Sequence, residues 1–367
     1  MRILFMGTPD FALKSLKALY EAKYDIIGVV TNIDKPKGRG MKLVASPVKE
    51  YALEKGLPIY QPQKVRNNVE FLEEIKKLNP DLICVVAYGK ILPQELLDIP
   101  KYGCINVHGS LLPNYRGAAP IQWAVLNGDK TTGITTMFMN AGMDTGDMLL
   151  KQEVEIGEDE TTGELWERLS NIGADLLIET IKQIEEGTVK REKQPEEGTL
   201  APMLSKEMAK IDWENKTAVQ IKNLVRGLNP IMGAYSFLND KKIKFWKVQV
   251  LTEDELLEKF EDLKEYIIVR EKSKKWIVRK IFFIFLYIIL IKLLLIFSIL
   301  LFIVSKVIDS VISNLPTHNL SKSDIQPIVP SFLAISEHKL LIYVPFEQDT
   351  SNIISFLATS KSTKFKS

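Results

Sequence analysis

Asn106 and His108 are the residues of this chain whose types and spacing best suit chemistry. The chain has three histidines, and His108 is the only one in the first 317 residues. Residues two apart in a β-strand project from the same face, so these two side chains would project together. An amide beside an imidazole can bind a developing oxyanion, and the imidazole can move a proton near neutral pH. A satisfied core histidine is the structural alternative.

The segment NAGMDTGDM (140–148) offers a partner for the imidazole. Asp144 lies between Gly142 and Gly146, and glycines allow the backbone to approach a site closely. A carboxylate at this place could orient or charge His108, whereas a plain turn aspartate would do neither.

Two further segments could contact ligands. SLLPNYRGAAP (110–120) contains two prolines and one glycine around two leucines, which suits the wall of a pocket for a flat ligand. NIDKPKGRGMKL (32–43) carries two glycines and four basic residues, which are Lys35, Lys37, Arg39 and Lys42. Such a loop could contact an RNA backbone, and an ordinary solvated loop is the alternative.

Other chemistries lack their sequence signatures. GTPDFA after the first predicted strand is neither a dinucleotide-binding glycine motif nor a Walker motif. No set of nitrogen and sulfur ligands has metal-site spacing. The two cysteines, Cys84 and Cys104, lie in apolar runs and are predicted to be buried free thiols.

The elements that position these residues alternate between strand and helix, which predicts a mostly parallel α/β sheet. Predicted strands cover 2–6, 25–30, 81–88, 104–107 and 134–139. Predicted helices cover 9–20, 47–56, 69–78, 119–128 and 161–186, the last of which begins with a capping box at Thr161 and Glu164. His108 therefore follows a strand at its carboxyl end, where open α/β sheets bind their ligands.

Beyond this domain the composition changes. A polar segment, 185–202, is predicted to connect two domains, and a helix (216–227) and strands at 233–238 and 242–251 follow it. Residues 205–250 contain nine Lys or Arg against four Asp or Glu, which suits a phosphate-facing surface. The last of the 20 glycines is Gly233. Residues 281–304 are almost all large and apolar, interrupted by one charged residue, Lys292, and are long enough to span a bilayer as a helix.

Several ordered motifs make residues 1 to about 250 resemble the methionyl-tRNA formyltransferase family. They are GTPDFA, DKPKGRG, SPVK, VVAYGKILP, GCINVHGSLLPNYRGAAPIQWA, GMDTGDM, LSKEMAKIDW and GLNP. The looser relatives, which formylate amino sugars or ribonucleotides, share the Asn-x-His core and the aspartate loop. The basic loop and the C-terminal unit are similar to the branch that acts on tRNA.

The resemblance implies formyl transfer from 10-formyltetrahydrofolate to the amino group of methionyl initiator tRNA, without a metal. It implies Asn106, His108 and Asp144 as the catalytic residues. It implies that Ser110, Leu111, Leu112 and Pro113 contact the folate, flanked by YGKIL (88–92), and that the loop with Lys35, Lys37, Arg39 and Lys42 holds the tRNA acceptor end. No stable protein partner is expected.

The implied architecture is α/β, a Rossmann-like formyltransferase domain with a mostly parallel sheet followed by a small OB-like β-barrel. We predict a catalytic domain over 1–188, a linker over 189–204, the start of the barrel over 205–251, and a tail over 252–367 that departs from the family. The barrel is therefore predicted to be incomplete. The tail is either a membrane anchor on a cytoplasmic enzyme or the product of a frameshift or misjoined gene.

The sequence leaves two other functions open. One is a folate-dependent formyltransferase that acts on a small amine, either an amino sugar or a ribonucleotide. The other is a catalytically idle, membrane-tethered protein that binds tRNA or folate. The expected location is the cytoplasm, because the chain opens without a signal-peptide core and has no disulfide framework.

Overall fold

The computed structural model describes residues 1–37, 42–238, 241–252, 255, 332–335 and 341–344. The chain divides into two compact units, residues 1–250 with 335–337, and residues 251–334 with 338–367.

The described strands and helices are as follows. The strands are β1 (Arg2–Gly7), β2 (Asp25–Val30), β3 (Lys35–Lys37), β4 (Lys42–Val44), β5 (Ile59–Tyr60), β6 (Leu82–Val86), β7 (Cys104–His108), β8 (Thr131–Phe138), β9 (Met148–Glu155), β10 (Ala234–Leu238), β11 (Lys241–Phe245), β12 (Gln249–Leu251), β13 (Phe332–Ile335) and β14 (Leu341–Val344). The helices are α1 (Asp10–Glu21), α2 (Pro47–Glu54), α3 (Val69–Leu78), α4 (Gln94–Leu97), α5 (Pro120–Asn127), α6 (Thr162–Glu186) and α7 (Ala218–Gly227), with a 3₁₀ turn at Glu207–Ala209.

A seven-stranded sheet forms the centre of the first unit, in the order β5-β2-β1-β6-β7-β8-β9. The strands from β5 to β7 pair in parallel, whereas β8 and β9 pair antiparallel to their neighbours. The predicted mostly parallel α/β sheet is confirmed. The carboxyl ends of β1, β6 and β7 share one edge of this sheet, which is where such sheets bind ligands.

Alternation along β1 shows why the sheet is buried on both faces. Ile3 and Phe5 belong to one buried cluster, together with side chains of α1, α5 and α6. Leu4 and Met6 belong to a second cluster, together with side chains of α3 and α4. Helices on both faces explain the continuous apolar runs of the central strands. Cys84 and Cys104 are buried free thiols, as predicted.

The longest of the described helices, α6, starts as the sequence predicts. The Thr161 side chain accepts a hydrogen bond from the Glu164 N–H, and the Glu164 carboxylate accepts one from the Thr161 N–H at 2.8 Å. This capping box satisfies two N–H groups that the first helical turn leaves without partners.

The region after residue 205 contains α7 and the antiparallel hairpin β10–β11. The single strand predicted over 242–251 is wrong, because β11 and β12 are separated at Trp246–Val248. The Trp246 carbonyl there accepts a hydrogen bond from Asn229, at 2.9 Å, instead of a strand partner. The OB-like barrel stays a prediction.

No helix of the described residues is long and apolar enough to cross a membrane. The predicted transmembrane run 281–304 lies outside those residues, and so does most of the predicted tail.

Candidate active site

Strand β7 places Asn106 and His108 at the carboxyl edge of the sheet. Asn106 pairs in register with Val85 of β6 and Met137 of β8, and His108 lies opposite Thr135. His108 is 5% exposed, whereas Asn106 is half-buried. Among the described residues the Asn106 side chain has no hydrogen-bond partner. Its amide is therefore free to donate to a ligand.

The two ring nitrogens of His108 have different surroundings. Nε2 lies 2.9 Å from the backbone carbonyl oxygen of Tyr115. A carbonyl only accepts hydrogen bonds, so Nε2 carries a proton and donates. Nδ1 lies 3.8 Å from Oδ2 of Asp144. Nδ1 is therefore the nitrogen that can exchange a proton, and a carboxylate stands beside it to stabilise the imidazolium.

Asp144 is held in a tight loop. Its φ of 53° lies in the left-handed region, which aspartate tolerates better than most residues. Its Oδ2 accepts a hydrogen bond from the Gly117 N–H at 2.8 Å, and its side chain is 18% exposed. The structure thus brings together Asp144 and His108, as the sequence predicts, although no sequence pattern pointed to the Gly117 N–H.

Tyr115 is a residue of the site that sequence reasoning missed. Its φ is 61°, and its hydroxyl donates to Asp129 at 2.5 Å while it accepts from the Asn127 amide at 2.9 Å. Burial, followed by the hydrogen bond to Asp129, raises the pKa of Tyr115 to about 12. These contacts hold the carbonyl that receives His108. The turn-forming Asn-Tyr-Arg-Gly after Pro113 is the available sequence signal.

The SLLP segment is divided between the interior and the surface. Ser110 and Leu112 are buried, and the Ser110 hydroxyl donates to the Asn114 carbonyl at 2.6 Å. Leu111 and Pro113 are half-buried. In the flanking YGKIL segment, Ile91 is 76% exposed. The exposed and half-buried members offer an apolar surface, whereas the Ser110 hydroxyl is already hydrogen-bonded within its own loop.

The basic loop connects β3 to β4. Lys35 is exposed on β3, the backbones of Lys37 and Lys42 pair at the tip of the hairpin, and Arg39 lies outside the described residues. The base is anchored by Asp34, which accepts from Lys49 at 2.7 Å and from Gln61 at 3.0 Å. The hairpin therefore has a fixed base and carries four basic residues in its sequence.

Two family models match this chain. The one described as "Formyl transferase" matches residues 1–181, and the one described as "Formyl transferase, C-terminal domain" matches residues 203–278. The second match extends past Leu251, where the motif resemblance ends.

Curated relatives are similar over most of their own length. A methionyl-tRNA formyltransferase from Caldanaerobacter subterraneus subsp. tengcongensis is 57% identical over 252 residues, which cover 68% of this chain and 81% of the relative. One from Clostridioides difficile is 56% identical over 254 residues, which cover 69% and 82%. Among solved structures, a 4-N formyltransferase from Francisella tularensis is similar with a TM-score of 0.54 and 20% identity, over 66% of this chain and 95% of that one. At that identity the likeness shows the fold.

Proposed function

This chain belongs to the methionyl-tRNA formyltransferase family, and we propose that Asn106, His108 and Asp144 carry out its reaction. The reaction transfers a formyl group from 10-formyltetrahydrofolate to the amino group of methionyl initiator tRNA. The observation that carries this assignment is the 3.8 Å approach of the Asp144 carboxylate to Nδ1 of His108 at the carboxyl edge of the sheet. The asparagine amide next to them has no hydrogen-bond partner in the described part of the chain.

The chemistry requires a place for negative charge and a route for a proton. The amine attacks the formyl carbon, the formyl oxygen takes the negative charge, and the attacking nitrogen must lose a proton. The Asn106 amide and the Nδ1–H of the His108 imidazolium donate hydrogen bonds to that oxygen. Asp144 stabilises the imidazolium and accepts the amine proton through a water molecule. The bond from the carbon to the folate nitrogen then breaks, and that nitrogen regains a proton.

Two surfaces are proposed for the substrates. Ser110, Leu111, Leu112 and Pro113 would form the folate wall, with half-buried Leu111 and exposed Ile91 supplying apolar contact for a flat ring. The tRNA acceptor end would lie on the β3–β4 hairpin, which carries Lys35, Lys37, Arg39 and Lys42. Phosphate contacts of this kind position the acceptor end so that the amine reaches the formyl carbon.

The relatives favour tRNA over a small amine as acceptor. Proteins named methionyl-tRNA formyltransferase share more than half of their aligned residues with this chain. The 4-N formyltransferase shares 20% and so supports the fold only. The proposed compartment is the cytoplasm, which suits the two free cysteines of the described chain.

A formylation assay on the full chain tests this proposal. The substrates are methionine-charged initiator tRNA and 10-formyltetrahydrofolate, and a parallel reaction offers an amino-sugar nucleotide. We expect formyl-methionyl tRNA as product, and a fall in turnover of about 10²- to 10³-fold for Asp144→Ala. Formylation of the amino sugar without formylation of tRNA would overturn the substrate. Near-normal turnover by well-folded Asp144→Ala would remove Asp144 from the catalytic group.

A further inference from the structure

Residues 191–201, called the strap below, lie across both loops of the proposed site. At one end Glu192 exchanges backbone hydrogen bonds with Met148, at 2.8 and 2.9 Å. At the other end Ala201 accepts from the Ala119 N–H at 3.1 Å and donates to the Arg116 carbonyl at 2.7 Å. The strap therefore bridges the strand that follows the Asp144 loop and the loop that follows His108.

Gln194 is the residue of the strap that touches the Asp144 loop. Its Nε2 donates to the backbone carbonyls of Asp144 and Gly146, both at 2.8 Å. Its Oε1 accepts from Nε of Arg116 at 2.9 Å. The NH₂ group and the oxygen of the Gln194 amide are thus all hydrogen-bonded. Two of these three bonds go to backbone carbonyls of the Asp144 loop.

Arg116 ties the strap to the residues that contact His108. It is 8% exposed, and its terminal nitrogens donate to the carbonyls of Glu196 at 3.2 Å and Pro195 at 2.7 Å. In the sequence Arg116 lies between Tyr115, whose carbonyl accepts a hydrogen bond from His108, and Gly117, whose N–H donates one to Asp144. A guanidinium with three bonds in one plane holds this arrangement rigidly.

The backbone of Asp144 needs such support. A non-glycine residue in the left-handed region is sterically disfavoured and persists where its surroundings fix it. The two bonds from Gln194 fix the carbonyl side of the loop, while the Gly117 N–H fixes the carboxylate.

We propose that Gln194 is a positioning residue for formyl transfer, which sets the Asp144 carboxylate against His108 and is itself held by Arg116. The inference rests on the proposed catalytic role of Asp144 and His108. It gives the strap a part in the site that its polar, aperiodic sequence does not suggest.

Gln194→Glu is the most specific test, because it replaces only the NH₂ group of the side chain, by an oxygen. A glutamate keeps an oxygen for Arg116 but places a second oxygen against two carbonyl oxygens, which repel it. Gln194→Ala removes all three bonds. Lys193→Ala, at the exposed neighbouring position, is the matched control.

Two measurements on the full chain read out the effect. The first is kcat and KM for both substrates, and we expect kcat to fall about 10- to 100-fold in both Gln194 variants with little change in KM. The second is the NMR spectrum of the His108 ring at one fixed pH, which needs no substrate. The His108 ring signals should move, because the Asp144 carboxylate, which lies 3.8 Å from Nδ1 in the original chain, is displaced. Lys193→Ala should change neither quantity.

The outcomes separate this inference from the proposed function. A lowered kcat together with shifted His108 ring signals, with the melting temperature retained, supports the positioning role. Unchanged kcat and unchanged ring signals in both variants, a rise in KM alone, or a loss of activity that follows a loss of folded protein would each overturn it. If the unaltered chain fails to formylate tRNA while the His108 ring signals still shift in the Gln194 variants, the positioning geometry stands and the proposed function fails.

Discussion

At the scale of single residues, the two nitrogens of one imidazole decide how the site can work. Nε2 donates to the Tyr115 carbonyl, so in the proposed reaction His108 donates to the oxyanion through Nδ1, beside Asp144. The histidine thereby has a set orientation and one nitrogen left for a ligand. In the proposed reaction Asn106 complements it, since an amide that has no hydrogen-bond partner among the described residues can donate to the oxyanion without first breaking a bond.

Asn106→Ala tests that complement. The substitution leaves no described protein group without a partner, so the free energy of unfolding should change little, while turnover should fall about 10²- to 10³-fold through loss of an oxyanion donor. Steady-state formylation and urea unfolding measure the two effects. Asn171→Ala, on the exposed side of α6, is the control. Turnover within a few fold of the original for Asn106→Ala would exclude its role as a donor.

At the scale of elements, the Asp144 loop depends on the close approach of Gly146 to β8. A Cβ at Gly146 would overlap the carbonyl oxygen of Phe138, which is backbone and cannot move aside cheaply. Together with the bonds from Gln194, this contact fixes where the loop leaves the sheet.

Gly146→Ala should therefore disturb both stability and catalysis. We expect a loss of about 1 to 3 kcal/mol in the free energy of unfolding, as for other overpacked sites, together with reduced turnover because Asp144 moves. Thermal or urea unfolding and the formylation assay measure these effects. Ala141→Ser, exposed in the same loop, should behave as the original chain. A Gly146→Ala protein of unchanged stability would show that the loop yields easily.

The β3–β4 hairpin is the second element with a testable role. Arg39→Ala should raise KM for tRNA with little effect on the folate, because it removes a phosphate contact. The slope of log KM against the logarithm of the salt concentration should decrease by about one, which corresponds to the loss of one phosphate contact. Lys182→Ala, an exposed lysine of α6, is the control for general charge effects. An identical salt slope in both variants would contradict contact between the hairpin and tRNA.

At the scale of the whole molecule, burial raises the pKa values of several tyrosines. Burial is the largest cause that raises the pKa values of Tyr24, Tyr88 and Tyr115 to about 12. The ordinary value, near 10, applies in the unfolded chain. A raised pKa in the folded state means that stability is fully present below about pH 10 and is lost as pH rises towards 12.

The free energy of unfolding should therefore fall between about pH 10 and pH 12. Urea unfolding at steps from pH 8 to pH 12 measures the slope. Tyr88→Phe should make the slope shallower and should cost nothing at pH 8, because the buried Tyr88 hydroxyl has no hydrogen-bond partner among the residues that the structure describes. Half-buried Tyr235 offers a matched Tyr→Phe control. Stability that stays level up to pH 12 would contradict this account.

Local patterns in the sequence were enough to predict most of the fold. The strand that carries Asn106 and His108, the capping box of α6 and the buried cysteines all depend on near neighbours or on periodicity, which the sequence displays directly. The period of two along a strand also placed Asn106 and His108 on one face. Where a side chain far away decides, as at Trp246 with Asn229, the pattern predicted one strand and the structure has two.

The tertiary structure alone decided how the site is held. Asp144 follows His108 by 36 positions, and the sequence could suggest their partnership without showing the distance or the nitrogen involved. The Tyr115 carbonyl, the Gly117 N–H and the Gln194 amide reach the site through hydrogen bonds between loops. Such bonds leave no periodic signal in the sequence. Nearly every residue has the same backbone groups, and a glutamine that positions a loop cannot be distinguished by type from any other glutamine in a polar segment. The sequence by itself therefore determined which residue types are available for the proposed chemistry, and packing determined which way they face.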